Sequence, residues 1–374
     1  MKVMLTGGGT AGHINPALAI AKYIRQRQPS AEILFVGAKG GMEERLVTEA
    51  GFALKTYRVS GILRSFSPKA IVKNVRAIAL LAAAMGSAGK LVDEFKPDIV
   101  IGTGGFASYP AVKSAAKRGI PTLVHESNVM PGKTNKQLAA VCTHVLLCNE
   151  DTRKHFAQKD KCIVTGNPLR AGMEFSGRAE AKAKLGIEGP LVYSAWGSLG
   201  ARDMNKMTAG LFALEQKHNS GFRHIHSTGA SGYEWMPDLV KELGVDLEKC
   251  PNIDMREYVF DAPTVMTAAD LVLCRAGAMT VSEVCATGTP AIIVPSPYVA
   301  DDHQRYNARS LSDRGAAIYL EEADATPEKV FALINELLAD PDRLEDIRNK
   351  ALGMAIFDAT ERIYDIICKC VENK

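Results

Sequence analysis

Short apolar runs alternate with longer stretches of helical spacing through almost the whole chain. Such alternation is typical of βαβ units, in which parallel strands are connected by helices that cover the sheet. The pattern predicts an α/β fold with doubly wound parallel sheets. The predicted strands are residues 2–6, 33–37, 98–101, 121–125, 144–148, 191–195, 223–227, 271–274 and 291–294.

The alternation breaks once, in a polar stretch that contains glycine and proline, TGNPLRAGMEFSGRAEAKAKLGIEGP. A chain of 374 residues is longer than one ordinary domain. We therefore predict two domains, residues 1–167 and 168–345, with a boundary near Asn167. Residues 346–374 form a helical tail that is expected to pack back across this boundary.

Composition excludes several classes of protein. Hydrophobic residues make up 47% and charged residues 23% of the chain, and the net charge of +3 is too small to indicate nucleic-acid binding. The eight cysteines form no CxxC pair and no metal-ligand spacing, which favours reduced, packed thiols.

The N-terminal apolar run is itself a strand, so no signal peptide is expected. The uncharged stretch 77–89 is shorter than the roughly 20 residues that span a bilayer. Together these features predict a cytoplasmic protein.

A glycine loop follows the first strand, where Gly7, Gly9 and Gly12 fit the pattern G-x-G-x-x-G. Dinucleotide-binding enzymes add an acidic residue at the end of the second strand, about 20 residues onward, to hold a ribose. Here that strand ends FVGAKGG, with no acid at the expected place. A nicotinamide-dependent dehydrogenase is therefore disfavoured.

Three more turns of small residues follow predicted strands, GTGG at 102–105, GSLG at 197–200 and AGA at 276–278. Ligands of open α/β sheets bind at the carboxyl ends of strands, where backbone N–H groups and helix N-termini attract phosphate. Four such turns, two in each half, indicate a cleft between two sheets that handles more than one phosphate-bearing ligand. Glu283 follows the last turn and is a candidate acceptor for ribose hydroxyls, although a solvated helix carboxylate is the simpler alternative.

Seven motifs occur in order across nearly the whole chain, GGTAGHINPALA, GTGGFAS, HESNVMPGKTNK, TGNPLR, GSLGAR, CRAGAMTVSE and DDHQRYNA. Together they resemble the MurG family of bacterial transferases, which add N-acetylglucosamine to lipid I and so make lipid II for peptidoglycan. The resemblance implies a GT-B fold, with two Rossmann-like domains facing a cleft, and activity without a metal or cofactor. It also implies UDP-N-acetylglucosamine and lipid I as substrates, with other cell-wall enzymes as candidate partners.

The resemblance assigns site residues by their positions in these motifs. The donor would contact Glu283 through its ribose, Ser198 through its diphosphate and the backbone near Val259 through its uracil. The remaining substrate-binding positions are Thr6, Gly7, Gly8, Asn128, Arg170, Ala278, Met279, Thr280, Val281, Ser282 and Gln304. The acceptor would meet the first domain at Gly9, Thr10, Gly12, Gly104, Gly105 and Ser108.

Three positions depart from the family pattern. Ala11 stands where glycine is more frequent, Trp196 precedes Gly197 where a glycine pair is common, and Tyr109 stands where a smaller residue is usual. The last two affect the loops expected to bind donor and acceptor.

The family reaction inverts the anomeric carbon, which requires direct attack by the acceptor 4-hydroxyl and one general base. An imidazole titrates near neutrality and suits this role. His13, at the start of the first helix, is more often a capping or packing residue when read alone, but the resemblance favours it as the base. Glu126 is the competing carboxylate.

Basic residues surround apolar ones in the segment YRVSGILRSFSPKAIVKNVRAIALLAAAM. An ordinary core helix with a charged outer face would show this pattern, and so would a surface that docks on an anionic leaflet. We expect peripheral binding at the cytoplasmic face of the membrane. The basic residues are Arg58, Arg64, Lys69, Lys73 and Arg76, and the apolar ones are Ile71, Val75, Ile78 and Met85.

Two other functions remain open. One is another GT-B enzyme, such as a diacylglycerol glycosyltransferase or a UDP-N-acetylglucosamine 2-epimerase. The other is a non-catalytic two-lobed binding module, which the expected absence of a signal peptide and the placement of His13 both disfavour.

Overall fold

The computed structural model describes residues 1–61, 67–169, 177–197 and 200–373. Strands and helices alternate along the chain, as the sequence pattern predicts. The strands are β1 Lys2–Thr6, β2 Glu32–Ala38, β3 Ala53–Tyr57, β4 Ile99–Gly102, β5 Thr122–Glu126, β6 His144–Leu147, β7 Cys162–Val164, β8 Leu191–Ala195, β9 Arg223–Ser227, β10 Ile253–Arg256, β11 Leu271–Cys274, β12 Ala291–Ile293 and β13 Ile318–Tyr319.

Helices follow most of the strands. They are α1 Ala11–Arg27, α2 Glu43–Glu49, α3 Pro68–Phe95, α4 Ser108–Ala116, α5 Lys133–Ala139, α6 Arg178–Leu185, α7 Arg202–His218, α8 Ala230–Tyr233, α9 Met236–Glu242, α10 Ala262–Ala268, α11 Ala278–Thr287, α12 His303–Ser312, α13 Pro327–Leu338, α14 Pro341–Leu352 and α15 Ala359–Glu372. Short 3-10 segments lie at Glu150–His155, Lys159–Lys161, Ala300–Asp302 and Glu322–Asp324.

The chain divides into two compact units. The first comprises Met1–Ala171 together with Ile356–Lys374, and the second comprises Gly172–Ala355. In the first unit the strands form one sheet in the order β3-β2-β1-β4-β5-β6-β7, and the paired strands are parallel. The order reverses direction between β1 and β4, which makes the gap between their following loops the topological switch point of this sheet.

The second unit repeats this arrangement with the order β10-β9-β8-β11-β12-β13. Its paired strands are parallel too, and its switch point lies between β8 and β11. Both sheets are therefore doubly wound and Rossmann-like, which confirms the predicted α/β fold class.

Both faces of the first sheet are covered, as its almost fully buried central strands require. Helix α15 packs beside α1 on one face, where Ile363 and Ile367 are fully buried with Leu5 and Ile14. The opposite face packs against α3 and α4. The C-terminal helix thus belongs to the core of the first unit.

Helix α3 is longer than the uncharged stretch within it. By length and composition alone, its part Val72–Phe95 could cross a membrane, although core helices pass the same test. Only 28% of its most apolar stretch is buried. The expectation that this segment is too short to span a bilayer rested on the uncharged residues 77–89, whereas the helix itself continues beyond them at both ends.

Candidate active site

Two glycine loops meet at the switch point of the first sheet. One follows β1 and contains Gly8, and the other follows β4 and contains Gly104. Strands β1 and β4 run side by side, and the N–H of Gly8 donates a hydrogen bond to the carbonyl of Gly104 at 3.3 Å. The motifs GGTAGH and GTGGFAS, separated by about 90 residues of sequence, thus form one surface.

Gly105 fixes how closely the two loops approach. Its φ of +78° lies in the left-handed region, and a Cβ atom there would stand 2.0 Å from the carbonyl oxygen of Gly8. No other residue type can occupy this position without moving one of the two backbones. The hydroxyl of Ser108 donates to the Gly105 carbonyl at 2.9 Å and closes the loop onto the start of α4.

The structure brings His13 onto this double loop. The residue is half-buried near the start of α1, and its carbonyl accepts a 2.6 Å hydrogen bond from the Thr103 hydroxyl. Its imidazole lies against the backbone of Gly104 and Gly105. A Cβ atom at Gly104 would come within 2.8 Å of Nδ1, and one at Gly105 within 3.2 Å of Cδ2. The two glycines therefore make room for the imidazole.

The remaining first-unit positions lie around the same edge. Thr6, Gly7 and Gly8 are buried, and the Thr6 hydroxyl donates to the Ala107 carbonyl at 3.3 Å. The exposed positions at the mouth of the loop are Gly9, Thr10 and Gly12.

Glu126 organises a neighbouring loop. It ends β5, is only 2% exposed, and both of its oxygens accept hydrogen bonds. The donors are the N–H and side chain of Asn128, the N–H of Gly132 and the side chain of Asn135, at 2.8–3.3 Å. A carboxylate that holds a loop through both oxygens is poorly placed to accept a proton from a substrate.

His125, beside it, is fully buried and faces the backbone. Burial lowers its pKa to about 4, and its Nε2 lies 3.1 Å from the carbonyl of Gly166, to which it donates. It is therefore neutral near pH 7, and its Nε2 is engaged by the backbone.

In the second unit, strands β8 and β11 lie side by side at the switch point, and their last residues Ala195 and Cys274 are partners. Helix α11 begins directly after Gly277 and directs its first N–H groups toward this edge. The half-buried residues of its first turns are Ala278, Met279, Thr280 and Ser282, and Val281 is buried. Ser198 and Arg170 lie outside the described residues.

Glu283 is buried rather than solvated, with 5% of its surface exposed. Burial raises the pKa of the Cys274 thiol to about 12, and the charge of Glu283 adds to this rise. The carboxylate thus lies close to the end of β11, beside the turn that begins α11. This burial removes the simpler alternative of a solvated helix carboxylate.

Two further predicted donor positions occupy the same edge of the second sheet. Val259, 3% exposed, follows β10. Gln304, in the first turn of α12, accepts a 2.9 Å hydrogen bond from the N–H of Ser296, in the loop after β12. The segments after three parallel strands, β10, β11 and β12, therefore carry the predicted donor residues that the structure describes in this unit.

Trp196 does not point into this edge. Its side chain is 3% exposed in the core with Met204 and Met207, and its indole N–H donates to the Thr208 hydroxyl at 3.0 Å. The indole ring that replaces one glycine of the common pair therefore packs between β8 and α7. Tyr109 likewise packs, half-buried, against the core of the first unit.

The structure adds residues that the sequence interpretation missed. Asn135 binds Glu126 and also the His125 carbonyl. Asn307 donates to the Ala276 carbonyl at 3.0 Å and holds the turn before α11. Both lie within the quoted motifs, which was the available signal. Glu43, whose carboxyl group contacts Gly8, lies outside them. No three His, Cys, Asp or Glu side chains among the described residues gather as metal ligands would.

These two edges are those of a two-domain nucleotide-sugar transferase, and sequence comparison agrees. The N-terminal domain of glycosyltransferase family 28 matches residues 3–147, and the C-terminal domain of the same family matches residues 192–366. The chain belongs to glycosyltransferase family 28. It is a glycosyltransferase, and the resemblance drawn from the ordered motifs is confirmed.

Individual relatives span the full length. The chain is 43% identical to the UDP-N-acetylglucosamine--N-acetylmuramyl-(pentapeptide) pyrophosphoryl-undecaprenol N-acetylglucosamine transferase of Acetivibrio thermocellus, over 100% of this chain and 99% of the relative. It is 37% identical to transferase 1 of the same description from Bacillus cereus, over 100% of each.

Solved structures show the same fold. MurG of Acinetobacter baumannii is 29% identical and superposes with a TM-score of 0.74 over 98% of this chain and 99% of that one. UDP-GlcNAc 2-epimerase of Neisseria meningitidis, at 16% identity, gives a TM-score of 0.63 over 99% of this chain and 100% of that one. The second likeness concerns the fold alone.

Proposed function

We propose that the protein is an inverting transferase that moves N-acetylglucosamine from its UDP donor to the 4-hydroxyl of the muramic acid of lipid I, giving lipid II. The observation that supports this most is the full-length identity of 43% to a relative whose name states the same transfer. The double glycine loop next to His13 and the buried Glu283 of α11 supply the two kinds of site that such a reaction needs.

The reaction joins the acceptor oxygen to C1 of the sugar while the bond from C1 to the UDP oxygen breaks. The hydroxyl proton passes to the imidazole of His13, and UDP departs with the electrons of the broken bond. His13 is favoured over Glu126 because both oxygens of that carboxylate already hold a loop. Glu126 acts instead as a positioning residue for the segment that contains Asn128.

The second unit holds the donor. Backbone N–H groups and the positive end of α11 stabilise the charge that grows on the departing diphosphate, and Glu283 accepts hydrogen bonds from the ribose. Val259 and Gln304 flank the uracil and the sugar. Ser198 and Arg170 retain these roles by resemblance alone.

The decisive experiment incubates the protein with UDP-N-acetylglucosamine and a lipid I analogue in the presence of chelator. We expect UDP release that requires the acceptor, together with a product heavier by one N-acetylglucosamine in mass spectrometry. Formation of UDP-N-acetylmannosamine without acceptor would instead identify a 2-epimerase. Transfer to diacylglycerol but not to the lipid I analogue would identify the other GT-B alternative.

Replacement of Glu283 by alanine should weaken donor binding by about 1–3 kcal/mol, the range for removing one partner of a buried hydrogen-bonded group. The UDP-N-acetylglucosamine dissociation constant would then rise about 5- to 150-fold in calorimetry. Glu328→Ala, at an exposed carboxylate in the same unit, is the matched control. An unchanged constant for Glu283→Ala would remove the proposed role.

The lipid acceptor requires access to a membrane, and we propose that α3 provides it. Val72, Val75 and Ile78 are 70%, 63% and 59% exposed, and the exposed Lys73 and Arg76 lie among them. Exposed apolar side chains interspersed with cations fit an anionic lipid surface. Arg64 lies outside the described residues, and so do the side chains of Lys69 and Ile71. The protein would then bind peripherally at the cytoplasmic face.

The double variant Lys73→Ala with Arg76→Ala lacks both cations. Its free energy of binding to anionic vesicles, measured by sedimentation, should be weaker by about 2 kcal/mol, because each basic residue near the surface adds about 1 kcal/mol. Raised salt should release the wild-type protein. Lys117→Ala, exposed in the same unit, is the control. Equal binding to neutral vesicles would contradict the proposal, and salt-resistant binding would point to insertion of α3.

A further inference from the structure

A buried carboxylate lies beneath the glycine loop that follows β1. Glu43 begins α2, is 1% exposed, and accepts a 3.2 Å hydrogen bond from the N–H of Ala38 at the end of β2. Its other oxygen, Oε2, is buried and has no hydrogen-bond partner among the described residues. Burying a carboxylate with one oxygen unpaired costs free energy, so stability alone does not account for this residue.

Three glycines form the socket for the carboxyl group. A Cβ atom at Gly8 would stand 1.7 Å from Oε1, one at Gly41 would stand 2.1 Å from Oε2, and one at Gly37 would stand 3.0 Å from Cγ. The glutamate thus occupies the volume that side chains at these positions would need. Its carboxyl group contacts the first glycine loop from below.

Tyr57 closes the socket. Burial raises the pKa of its phenol, and the nearby charge of Glu43 raises it further. The hydroxyl donates to the carbonyl of Ala107, which also accepts from the Thr6 hydroxyl. The socket is therefore continuous with the residues that precede α4 and end β1.

A short series of contacts connects Glu43 with the imidazole of His13. Glu43 abuts Gly8, the Gly8 carbonyl abuts the Cα of Gly105, and the ring of His13 lies on Gly104 and Gly105. Each of these contacts is close enough that moving one backbone moves the next. The position of the first glycine loop therefore depends on the side chain of residue 43, which fills the socket.

The same geometry explains the missing acid of the dinucleotide pattern. A carboxylate does contact the end of the second strand, but it belongs to Glu43, five residues past Ala38 at the start of α2. However, it turns in under the loop instead of facing a ribose at the sheet edge. Its position suits support of the loop and not recognition of a cofactor.

We propose that Glu43 is a positioning residue for the transfer reaction, setting the first glycine loop and thereby the place of the His13 imidazole. The consequence for catalysis rests on the proposed function, whereas the effect on His13 does not.

The test compares Glu43→Ala with Glu43→Gln. The amide keeps the shape and can still accept from Ala38, whereas alanine empties the socket. We expect Glu43→Ala to lower kcat by about 10²-fold, the cost of a displacement of about 1 Å, without raising the KM for UDP-N-acetylglucosamine. Glu43→Gln should restore most of kcat. In histidine ring NMR spectra, assigned with His13→Asn, the His13 signals should shift in Glu43→Ala and return toward their wild-type positions in Glu43→Gln.

Glu49→Ala, at an exposed carboxylate on the same helix, is the control and should change neither readout. If Glu43→Ala does not fold, Glu43→Asp, which withdraws the carboxylate by one methylene, should give a smaller shift of the His13 signals. Unmoved His13 signals in the folded variant would overturn the proposal, even if its melting temperature fell. Were the wild-type protein to lack transfer activity, the proposed function would fail while the NMR comparison still tested Glu43.

Discussion

Replacing His13 by asparagine is expected to lower turnover about 10²- to 10⁴-fold, the usual contribution of a positioned general base. Asparagine approximates the size of the imidazole and its hydrogen-bonding edge but cannot take a proton. The carbonyl of residue 13, which the Thr103 hydroxyl binds, is unchanged, so the loops should keep their conformation. Transfer to a lipid I analogue gives kcat, and calorimetry with UDP-N-acetylglucosamine should give a near-normal dissociation constant.

His155→Asn is the control for this experiment, because it changes a half-buried histidine in a 3-10 segment of the same unit. It should retain wild-type turnover. Comparable activity in His13→Asn would remove His13 as the base and return Glu126 to consideration. A parallel loss of donor affinity would show that His13 acts in binding instead.

Replacing Gly105 by alanine should be the most damaging change to the double loop. The left-handed φ of this residue costs an L-amino acid about 1–2 kcal/mol, and the added Cβ atom would stand 2.0 Å from a backbone oxygen, which cannot rotate away. The two loops must separate, and the imidazole that rests on them must move. A shift of about 1 Å at a catalytic group costs roughly 10²-fold in rate. Chemical unfolding and transfer assays would measure the two effects.

Gly119→Ala provides a matched control in the same unit. Its φ is +71°, but nothing lies within 4 Å of a Cβ atom there. Its free energy of unfolding should fall by only about 1–2 kcal/mol, the cost of the left-handed φ, and its turnover should stay unchanged. Equal behaviour of the two variants would show that the close approach of Gly105 to Gly8 is unimportant.

Apolar runs in the sequence predicted the interior strands of both sheets but not the edge strands. Every predicted strand is present, with its ends within about one residue of the observed ones. The strands that the sequence interpretation missed are β3, β7, β10 and β13, which are the edge strands of the two sheets. Interior strands of parallel sheets are buried on both sides and read as continuous apolar runs. Edge strands are partly exposed, as in the alternating burial of β3, so the same signal is weak there.

Some features of the site could likewise be predicted from local sequence, and others depended on packing. Glycine turns after strands are local signals, so their gathering at the two switch points could be predicted from chain order. The burial of Glu283 and the inward turn of Trp196 could not, because each depends on which face of a helix or strand packs against the core. Glu43 was missed because its partner Gly8 lies 35 residues earlier, and no local pattern connects them.

The sequence by itself determined the doubly wound class, the interior strands and the family, since these follow from local periodicity and ordered motifs. Only the tertiary structure decided that Glu126 holds a loop, that the C-terminal helix completes the first core, and that His13 rests on two glycines. These are contacts between distant segments, and their geometry depends on how the backbones approach one another, which side-chain patterns along a single chain do not encode.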